Sequence, residues 1–156
     1  MLPLRARTVA GLFYEDFDVG RQIVTRGLTI TEAHAVAFAG LSGDFNPLHT
    51  DETVAAKTPF GGRVAHGQLG MIMAAGLINQ TGLHEGTTLA LLGYRDWKFL
   101  KPIRFGDTIR VRVTIEEKKE TSKPTGGVLL RKVEILNQDD EVIQEGHSDL
   151  LVRRRP

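Results

Sequence analysis

Residues 63–82, RVAHGQLGMIMAAGLINQTG, decide the fold. The stretch is apolar nearly all the way round a helical projection, so it predicts a helix, Val64–Gly82, that is buried on most of its faces. Gly70 and Gly76 each cost such a helix roughly 1 kcal/mol relative to alanine. We therefore expect another part of the chain to pack close to the backbone at both glycines, and we expect Gly82 to form the C-cap.

The segment before this helix concentrates polar residues. It reads GDFNPLHTDETVAAKTPFGGRVAHG and ends at Gly67, and in it Asp44, Asn46 and His49 stand within six positions of one another. His66 follows at the start of the long helix. Polar residues at this density in a mixed apolar stretch indicate either turn chemistry or a functional site.

A shorter helix precedes this polar segment, in TITEAHAVAFAGLSGD. Thr29 followed by Glu32 predicts a capping box at its start. Gly40 and Gly43 predict its end. The polar segment would thus begin at the exit of one helix and finish at the N-terminus of the next.

The remaining sequence is rich in predicted strands. One is expected around Arg21–Leu28, and four more in LALLGYRDWKFLKPI, TIRVRVTIEE, VLLRKVEIL and EVIQEGHSDLLVRR, joined by the turns FGDT, KPTGG and NQDD. Strict alternation in the second of these four places one apolar row on a single face: Ile109, Val111, Val113 and Ile115. An antiparallel sheet wrapped around one apolar helix, an α+β fold, accommodates every segment.

Composition limits the classes of function. The 156 residues are 41% hydrophobic and 25% charged with a net charge of +1, which predicts a soluble globular chain and gives nucleic-acid binding no support. Absence of cysteine excludes disulfides, thiolate catalysis and zinc–thiolate sites. We expect a single domain over residues 1–156, with residues 1–15 a loosely ordered extension.

No segment predicts export or a membrane span. The N-terminus lacks an apolar run long enough for a signal peptide, which is compatible with a cytoplasmic protein. The most apolar window, Leu69–Ile78, is about half of the ~20 residues that a membrane-spanning helix needs. We therefore expect no membrane partner.

The residue types of the polar segment allow four kinds of chemistry to be compared. A metal site could use Asp44, His49, Asp51 and His66, but no helical His pair fixes these donors. The glycine-rich GGRVAHG matches neither phosphate-loop pattern, and Ser42 does not lie in a G-x-S-x-G elbow. Acid–base work by Asp44 and His49 remains, beside a helix N-terminus.

That last arrangement has a physical logic. A helix N-terminus offers unpaired N–H groups and a partial positive charge, and Gly67 lets a ligand approach the backbone closely. Such a site can stabilise a carbonyl oxygen that gains negative charge. With a His and a carboxylate to activate water, it suits the addition of water to a double bond conjugated with a carbonyl.

These residues resemble a known family. GDFNPLH, with Asp51 two residues on, resembles the hydratase-2 motif of the MaoC-like dehydratases, the (R)-specific enoyl-CoA hydratases. VAHG at the start of the long helix and FLKPIRFGDTI resemble further family segments, and the resemblance runs from about Phe17 to Val152. It implies a hot-dog fold with Val64–Gly82 as its central helix.

The resemblance also implies residue roles. Asp44 and His49 would activate the water, the N–H of Gly67 would hold the thioester oxygen, and Asn46 and His66 would support the substrate site. Family members hydrate a trans-2-enoyl-CoA to an (R)-3-hydroxyacyl-CoA without a metal or redox cofactor. The expected partners are an acyl-CoA substrate and a second copy of the chain, as a homodimer or a higher homo-oligomer.

Alternatives remain open at this level. A hot-dog thioesterase would hydrolyse the same thioester, and an acyl-CoA-binding module would need no catalytic pair. Some relatives carry a serine about two turns into the long helix, where this chain has Ala74 and Ala75.

Other side chains receive simpler expectations. Phe45 and Phe60 are expected in the core, and Asp51 at a turn or helix start. Arg63 could meet CoA phosphates. Two further groups carry no assigned site: the cations Arg95, Lys98 and Arg104, any of which could meet an acidic acyl tail, and the histidines His34, His84 and His147.

Overall fold

The computed structural model describes residues 11–122 and 125–156. After a 3-10 turn at Tyr14–Asp16, the helices are α1 Glu32–Ser42, α2 Pro47–Thr50, α3 Glu52–Ala55 and α4 Gly67–Asn79. The strands are β1 Gln22–Val24, β2 Leu28–Thr29, β3 Thr88–Phe99, β4 Thr108–Glu120, β5 Gly126–Leu136 and β6 Val142–Arg153. The expected N-terminal extension falls outside the described residues up to position 10, as does part of the predicted KPTGG loop, residues 123–124.

The strands form one antiparallel sheet in the order β1-β4-β5-β6-β3, with β2 also paired to β4. The single strand predicted around Arg21–Leu28 is wrong: it is two short strands. Between them the hydroxyl of Thr25 accepts a hydrogen bond from the N–H of Val111 at 3.0 Å. A side chain thus replaces a backbone partner there, and the ladder is interrupted.

The sheet wraps around α4. The predicted apolar row on β4 is fully buried, each member 0% exposed: Ile109, Val111, Val113 and Ile115. From the helix, Leu69, Ala74 and Leu77 join the same core. The predicted α+β arrangement of an antiparallel sheet around one helix is confirmed.

The central helix is shorter than predicted. It begins at Gly67 with His66 as N-cap, because the preceding residues are extended and the N–H of Ala65 bonds the carbonyl of Ile103 at 2.8 Å. It ends at Asn79, and Gly82, with φ +73, lies beyond the helix in the following turn rather than at the C-cap. No helix in the described part of the chain is long and apolar enough to cross a membrane.

The two helix glycines differ. A Cβ atom at Gly70 would lie 2.5 Å from Nε2 of Gln144 and 2.8 Å from Cδ1 of Ile103, which confirms the expected close packing. A Cβ atom at Gly76 would meet nothing within 4 Å. The expectation of close packing is therefore wrong for Gly76.

The predicted capping box of α1 is also wrong. Thr29 lies in β2, where its hydroxyl bonds that of Thr108 at 2.8 Å. Thr31 is the N-cap, and its N–H donates to Nδ1 of His34 at 3.0 Å. The imidazole of His34 is therefore the acceptor that the prediction had placed at the carboxylate of Glu32. Gly43 ends the helix with φ 76, as predicted, whereas position 40 lies inside it.

Candidate active site

The loop leaving α1 is shaped by its own side chains. Gly43 turns the chain in the left-handed region, and Oδ1 of Asp44 accepts the N–H of Asn46 at 3.2 Å. Asn46 in turn caps α2, accepting the N–H of Leu48 at 3.0 Å, with Pro47 at the first helical position. The residues of the D-x-N-P-x-H pattern thus form a loop that is held by its own hydrogen bonds. This loop fixes the backbone position of His49.

His49 is held by one specific hydrogen bond. Its Nδ1 lies 2.8 Å from the carbonyl of Val64, in the segment before α4. A carbonyl only accepts, so Nδ1 carries the proton and Nε2 keeps its lone pair. The bond fixes the ring orientation and leaves Nε2 available as a base.

His66 contacts both Asp44 and His49 from the buried side of the site. Its side chain is 0% exposed, and its Nε2–H donates to the backbone carbonyl of Asp44 at 2.9 Å. Its ring packs against His49 with centroids 3.8 Å apart, and against Phe38 at 4.8 Å. Because the ring has no exposed surface, it contacts the two polar residues and not the open cleft.

The polar atoms of the loop converge. Ligating atoms of Asp44, His49 and His66 all lie within 4.8 Å of one another, and the carboxylate of Asp44 is 45% exposed. Two acceptors at this separation can share one water, since each hydrogen bond to water spans about 2.8 Å. The arrangement can therefore orient and deprotonate a water molecule.

The N-terminus of α4 faces the same region. Gly67 and His49 both line a cleft of about 350 Å³. In the first turn the N–H of Leu69 bonds the carbonyl of His66 at 3.1 Å, and the His66 side chain caps none of the N–H groups. A Cβ atom at Gly67 would lie 2.8 Å from Cε1 of Phe99, so glycine is required for this packing.

Two aromatic residues were wrongly expected in the core. Phe60 lines the cleft. Phe45 lies in the polar loop between Asp44 and Asn46 and is 63% exposed. This loop joins α1 to α2, Phe60 lies in a turn after α3, and both rings remain on the surface. The cleft is therefore walled by apolar side chains around a small polar centre, as binding sites commonly are.

Asp51 does not join the polar centre. Its carboxylate caps α3, accepting the N–H groups of Thr53 at 2.8 Å and Val54 at 3.3 Å, as the expectation of a helix start required. The hydroxyl of Thr53 lowers the pKa of Asp51 further. Of the four donors weighed for a metal, three therefore come together.

Known proteins share both sequence and fold with this chain. Residues 16–135 match the MaoC like domain. The chain belongs to the MaoC-like family. A 3-hydroxybutyryl-CoA dehydratase of Methylorubrum extorquens is 37% identical over 110 residues, 68% of this chain and 65% of that protein. An (R)-specific enoyl-CoA hydratase of Rhodospirillum rubrum is 38% identical over 107 residues, 66% of this chain and 69% of that protein.

The length and fold of these relatives add two facts. Protein MaoC of Klebsiella aerogenes is 39% identical over 106 residues, but this MaoC-like chain spans only 31% of it. The solved MaoC-like dehydratase of Rhodospirillum rubrum superposes with a TM-score of 0.82 at 30% identity, over 94% of this chain and 99% of that one. A double hot-dog protein of Mycobacterium tuberculosis gives a TM-score of 0.79 at 22% identity, over 96% of this chain and 46% of that one. The predicted hot-dog fold is confirmed.

Three of the four charged candidates for contacts with CoA or an acid are already engaged in this MaoC-like protein, and no side-chain partner of Lys98 is seen among the described residues. Arg63 bonds Glu32 at 2.5 Å and Glu52 at 3.1 Å, which raises its pKa, the bond to Glu52 most. Arg95 pairs with Asp149 at 2.8 Å. A further candidate, Arg104, donates to the carbonyl of Phe60 at 2.7 Å.

Sequence analysis missed one buried polar group. Arg131, His84 and Ser148 meet inside the sheet and are 4%, 6% and 3% exposed. The sequence does indicate the position of Arg131. Side chains alternate between the two faces of a strand, so Arg131 on β5 faces inward in the same row as Leu129. The histidine is joined to it only by tertiary packing, which no local pattern predicts.

Proposed function

We propose that this protein adds water reversibly to a trans-2-enoyl-CoA, forming an (R)-3-hydroxyacyl-CoA. One observation carries the proposal: the carboxylate of Asp44 and the ring of His49 lie within 4.8 Å of each other beside the free N-terminus of α4. The relatives named as an (R)-specific hydratase and a dehydratase support the same reaction and its reverse.

Water activation falls to the polar pair. A water bound between Asp44 and His49 loses a proton to the pair as its oxygen bonds C3 and the C2=C3 double bond opens toward the thioester oxygen. The pair then gives a proton to C2, so it ends the cycle as it began. Such positioned proton transfer contributes about 10²–10⁴ in rate. We assign the proton to the pair and not to either group alone.

The backbone supplies charge stabilisation at the other end of the substrate. As water adds at C3, negative charge moves to the thioester oxygen, and the N–H of Gly67 would donate to it. A donor of this kind is typically worth about 3–4 kcal/mol in the transition state. The carbonyl of Val64, which accepts the Nδ1–H of His49 at 2.8 Å, keeps a proton on Nδ1 and leaves Nε2 free to contact the bound water.

The proposed steps call for no metal or redox cofactor. Addition of water changes no oxidation state overall, and the base and the oxyanion donor are both side-chain or backbone groups. Two ring nitrogens of the polar centre are engaged with carbonyl oxygens, Nδ1 of His49 and Nε2 of His66. A chelator should therefore leave the hydration rate unchanged.

A direct assay tests the reaction class. With crotonyl-CoA, hydration removes the absorbance of the enoyl thioester and releases no free thiol, and chiral analysis of the product should give the (R)-alcohol. Release of thiol would instead establish a thioesterase. Binding of acyl-CoA with neither change, across a panel of enoyl-CoAs, would establish a binding module and overturn the proposal.

The proposal includes a homodimer. β3 pairs with β6 on one side, and among the described residues no strand pairs with its outer side. Its exposed apolar side chains are Leu89, Leu91, Leu92, Tyr94 and Phe99. Such an edge is an aggregation hazard unless another strand or chain covers it. A second copy of the same edge is the simplest cover, since it is self-complementary about a twofold axis.

A further inference from the structure

A second cavity lies deeper along α4. It has a volume of about 150 Å³ and is lined by Ala74, Ala75 and Ile78 from the helix and by Val133 and Leu150 from the sheet. Its polar lining includes the group Arg131, His84 and Ser148. A cavity with a largely apolar lining thus contains a buried cation.

Arg131 interrupts an apolar row. Its neighbours on the inward face of β5 are Leu129, Val133 and Ile135, 0%, 2% and 0% exposed. An ion in such a place is costly unless it is paired, because burial removes its hydration. An arginine at this position therefore requires a compensating partner.

The hydrogen-bond partners of Arg131 are neutral, and the charge of Asp149 acts on it without forming an ion pair. Nε of Arg131 donates to the Ser148 carbonyl at 2.9 Å, one Nη to the Ser148 hydroxyl at 2.9 Å, and the other to Nε2 of His84 at 3.3 Å. Both carboxylate oxygens of Asp149 are taken by Arg95, at 2.8 Å and 3.1 Å. No described carboxylate forms an ion pair with Arg131, and residues 1–10 and 123–124 contain no acidic residue.

The unused polar atoms are donors. A guanidinium has five N–H groups, and three are engaged, so two remain. Because Nε2 of His84 accepts from the arginine, its proton lies on Nδ1, which is buried without a partner. Burial lowers the pKa of Arg131 to about 10 and that of His84 to about 4, so at neutral pH the pair is charged on the arginine alone.

The cavity and the cleft lie along the same helix. Gly67 begins α4, and the cavity flanks the same helix from Met71 to Asn79. Trp97 lines the cavity, and its Nε1 donates at 3.2 Å to Gln144, which lines the cleft. A thioester held at Gly67 could thus extend its acyl chain along the helix, past Trp97, toward the arginine.

We propose that this cavity binds the distal carboxylate of the acyl group, so that CoA monothioesters of dicarboxylic acids are the preferred substrates. A planar carboxylate would take the two free N–H groups of Arg131 and neutralise its charge. The inference rests on the proposed function, since it assumes an acyl-CoA in the cleft. It differs from the surface cations considered from the sequence, because Arg131 alone is buried and unpaired.

Equilibrium binding tests this without requiring turnover. Succinyl-, glutaryl-, adipyl- and suberyl-CoA would be titrated into the protein beside butyryl-, valeryl-, hexanoyl- and octanoyl-CoA, which match them in length but lack the acid. At least one acid should bind about 10- to 100-fold more tightly than its neutral match, the usual range for charge-assisted hydrogen bonds. Arg131→Gln should abolish that preference.

Controls separate this inference from folding and from the reaction. Arg110→Gln removes a surface cation that pairs with Asp140 at 2.7 Å, and it should leave the preference intact. Neutral chains binding as well as acids in the wild type, or a folded Arg131→Gln that keeps the preference, would overturn the inference. The wild-type comparison needs no variant, so misfolding of Arg131→Gln cannot obscure it. Hydration of crotonyl-CoA, assayed in parallel, judges the proposed function separately.

Discussion

At the scale of single residues, the candidate site depends on contacts that join distant parts of the chain. His49 is oriented by the carbonyl of Val64, fifteen residues on. His66 bonds the backbone of Asp44, twenty-two residues before it. These contacts lock the polar loop against the start of α4, so the proposed base and oxyanion donor keep a fixed separation.

His84 should make stability depend on pH. Its folded pKa of about 4 lies below the ordinary 6.5, mainly because burial disfavours the charged ring. The unfolded chain then binds more protons between these values, so the free energy of unfolding falls as pH drops from 6.5 toward 4, by up to about 3 kcal/mol. Urea unfolding at a series of pH values would measure it.

His84→Gln is the matched variant for that experiment, because the amide oxygen can still accept from Arg131 and does not titrate. The slope between pH 6.5 and 4 should be shallower in the variant than in the wild type. Equal slopes in the two proteins would mean that the ring is not kept neutral by burial.

Part of the site could be predicted from sequence, and the reason is local. Asp44, Asn46 and His49 lie in one loop that is held by hydrogen bonds between its own residues. A short sequence pattern therefore determines most of the geometry of this loop. The support given by His66 and the group around Arg131 depend on tertiary contacts. Strand alternation alone would have placed the arginine inward, but not its partners.

At the scale of elements, α4 determines where the site lies. The helix begins beside the polar loop, and its side chains and backbone line both the cleft and the second cavity. Hydropathy predicted the helix but not its first turn, because Val64 and Ala65 are as apolar as the helix itself. Their extended conformation is set by a distant part of the same chain, because the N–H of Ala65 bonds the carbonyl of Ile103 at 2.8 Å.

The two glycines of α4 should respond oppositely to alanine. Gly76→Ala meets open space and should raise the free energy of unfolding by about 0.5–1 kcal/mol, through helix propensity. Gly70→Ala should lower it, because the added methyl group would lie 2.5 Å from the Gln144 amide. Urea unfolding of both variants measures the pair, and the same sign for both would refute the packing described for α4.

At the scale of the whole molecule, the sheet leaves one edge open. The order β1-β4-β5-β6-β3 followed from the alternating strands and short turns only in part, since β3 crosses the sheet to pair with β6. That long-range pairing cannot be derived from turn signals. It leaves an apolar edge whose exposed residues have no partner strand among the described residues on their outer side.

We expect the chain to be a dimer that this edge holds together. Leu92 on β3 is 53% exposed, and Leu92→Lys should place a charge in the interface and shift the protein toward monomer in sedimentation equilibrium. Val19→Lys changes a valine that is 61% exposed away from that strand and serves as the control. A wild type that is monomeric, or a dimer that Leu92→Lys leaves intact, would refute this interface.

The most direct test of the central claim compares two neighbouring carboxylates. Asp44→Asn removes the proposed acid–base partner while keeping an oxygen that can accept the N–H of Asn46. Asp51→Asn changes an equivalent group that caps α3, and asparagine caps equally well. On crotonyl-CoA, Asp44→Asn should slow hydration by about 10²–10⁴ with unchanged folding, and Asp51→Asn should retain wild-type rates. A wild-type rate in Asp44→Asn would contradict the account.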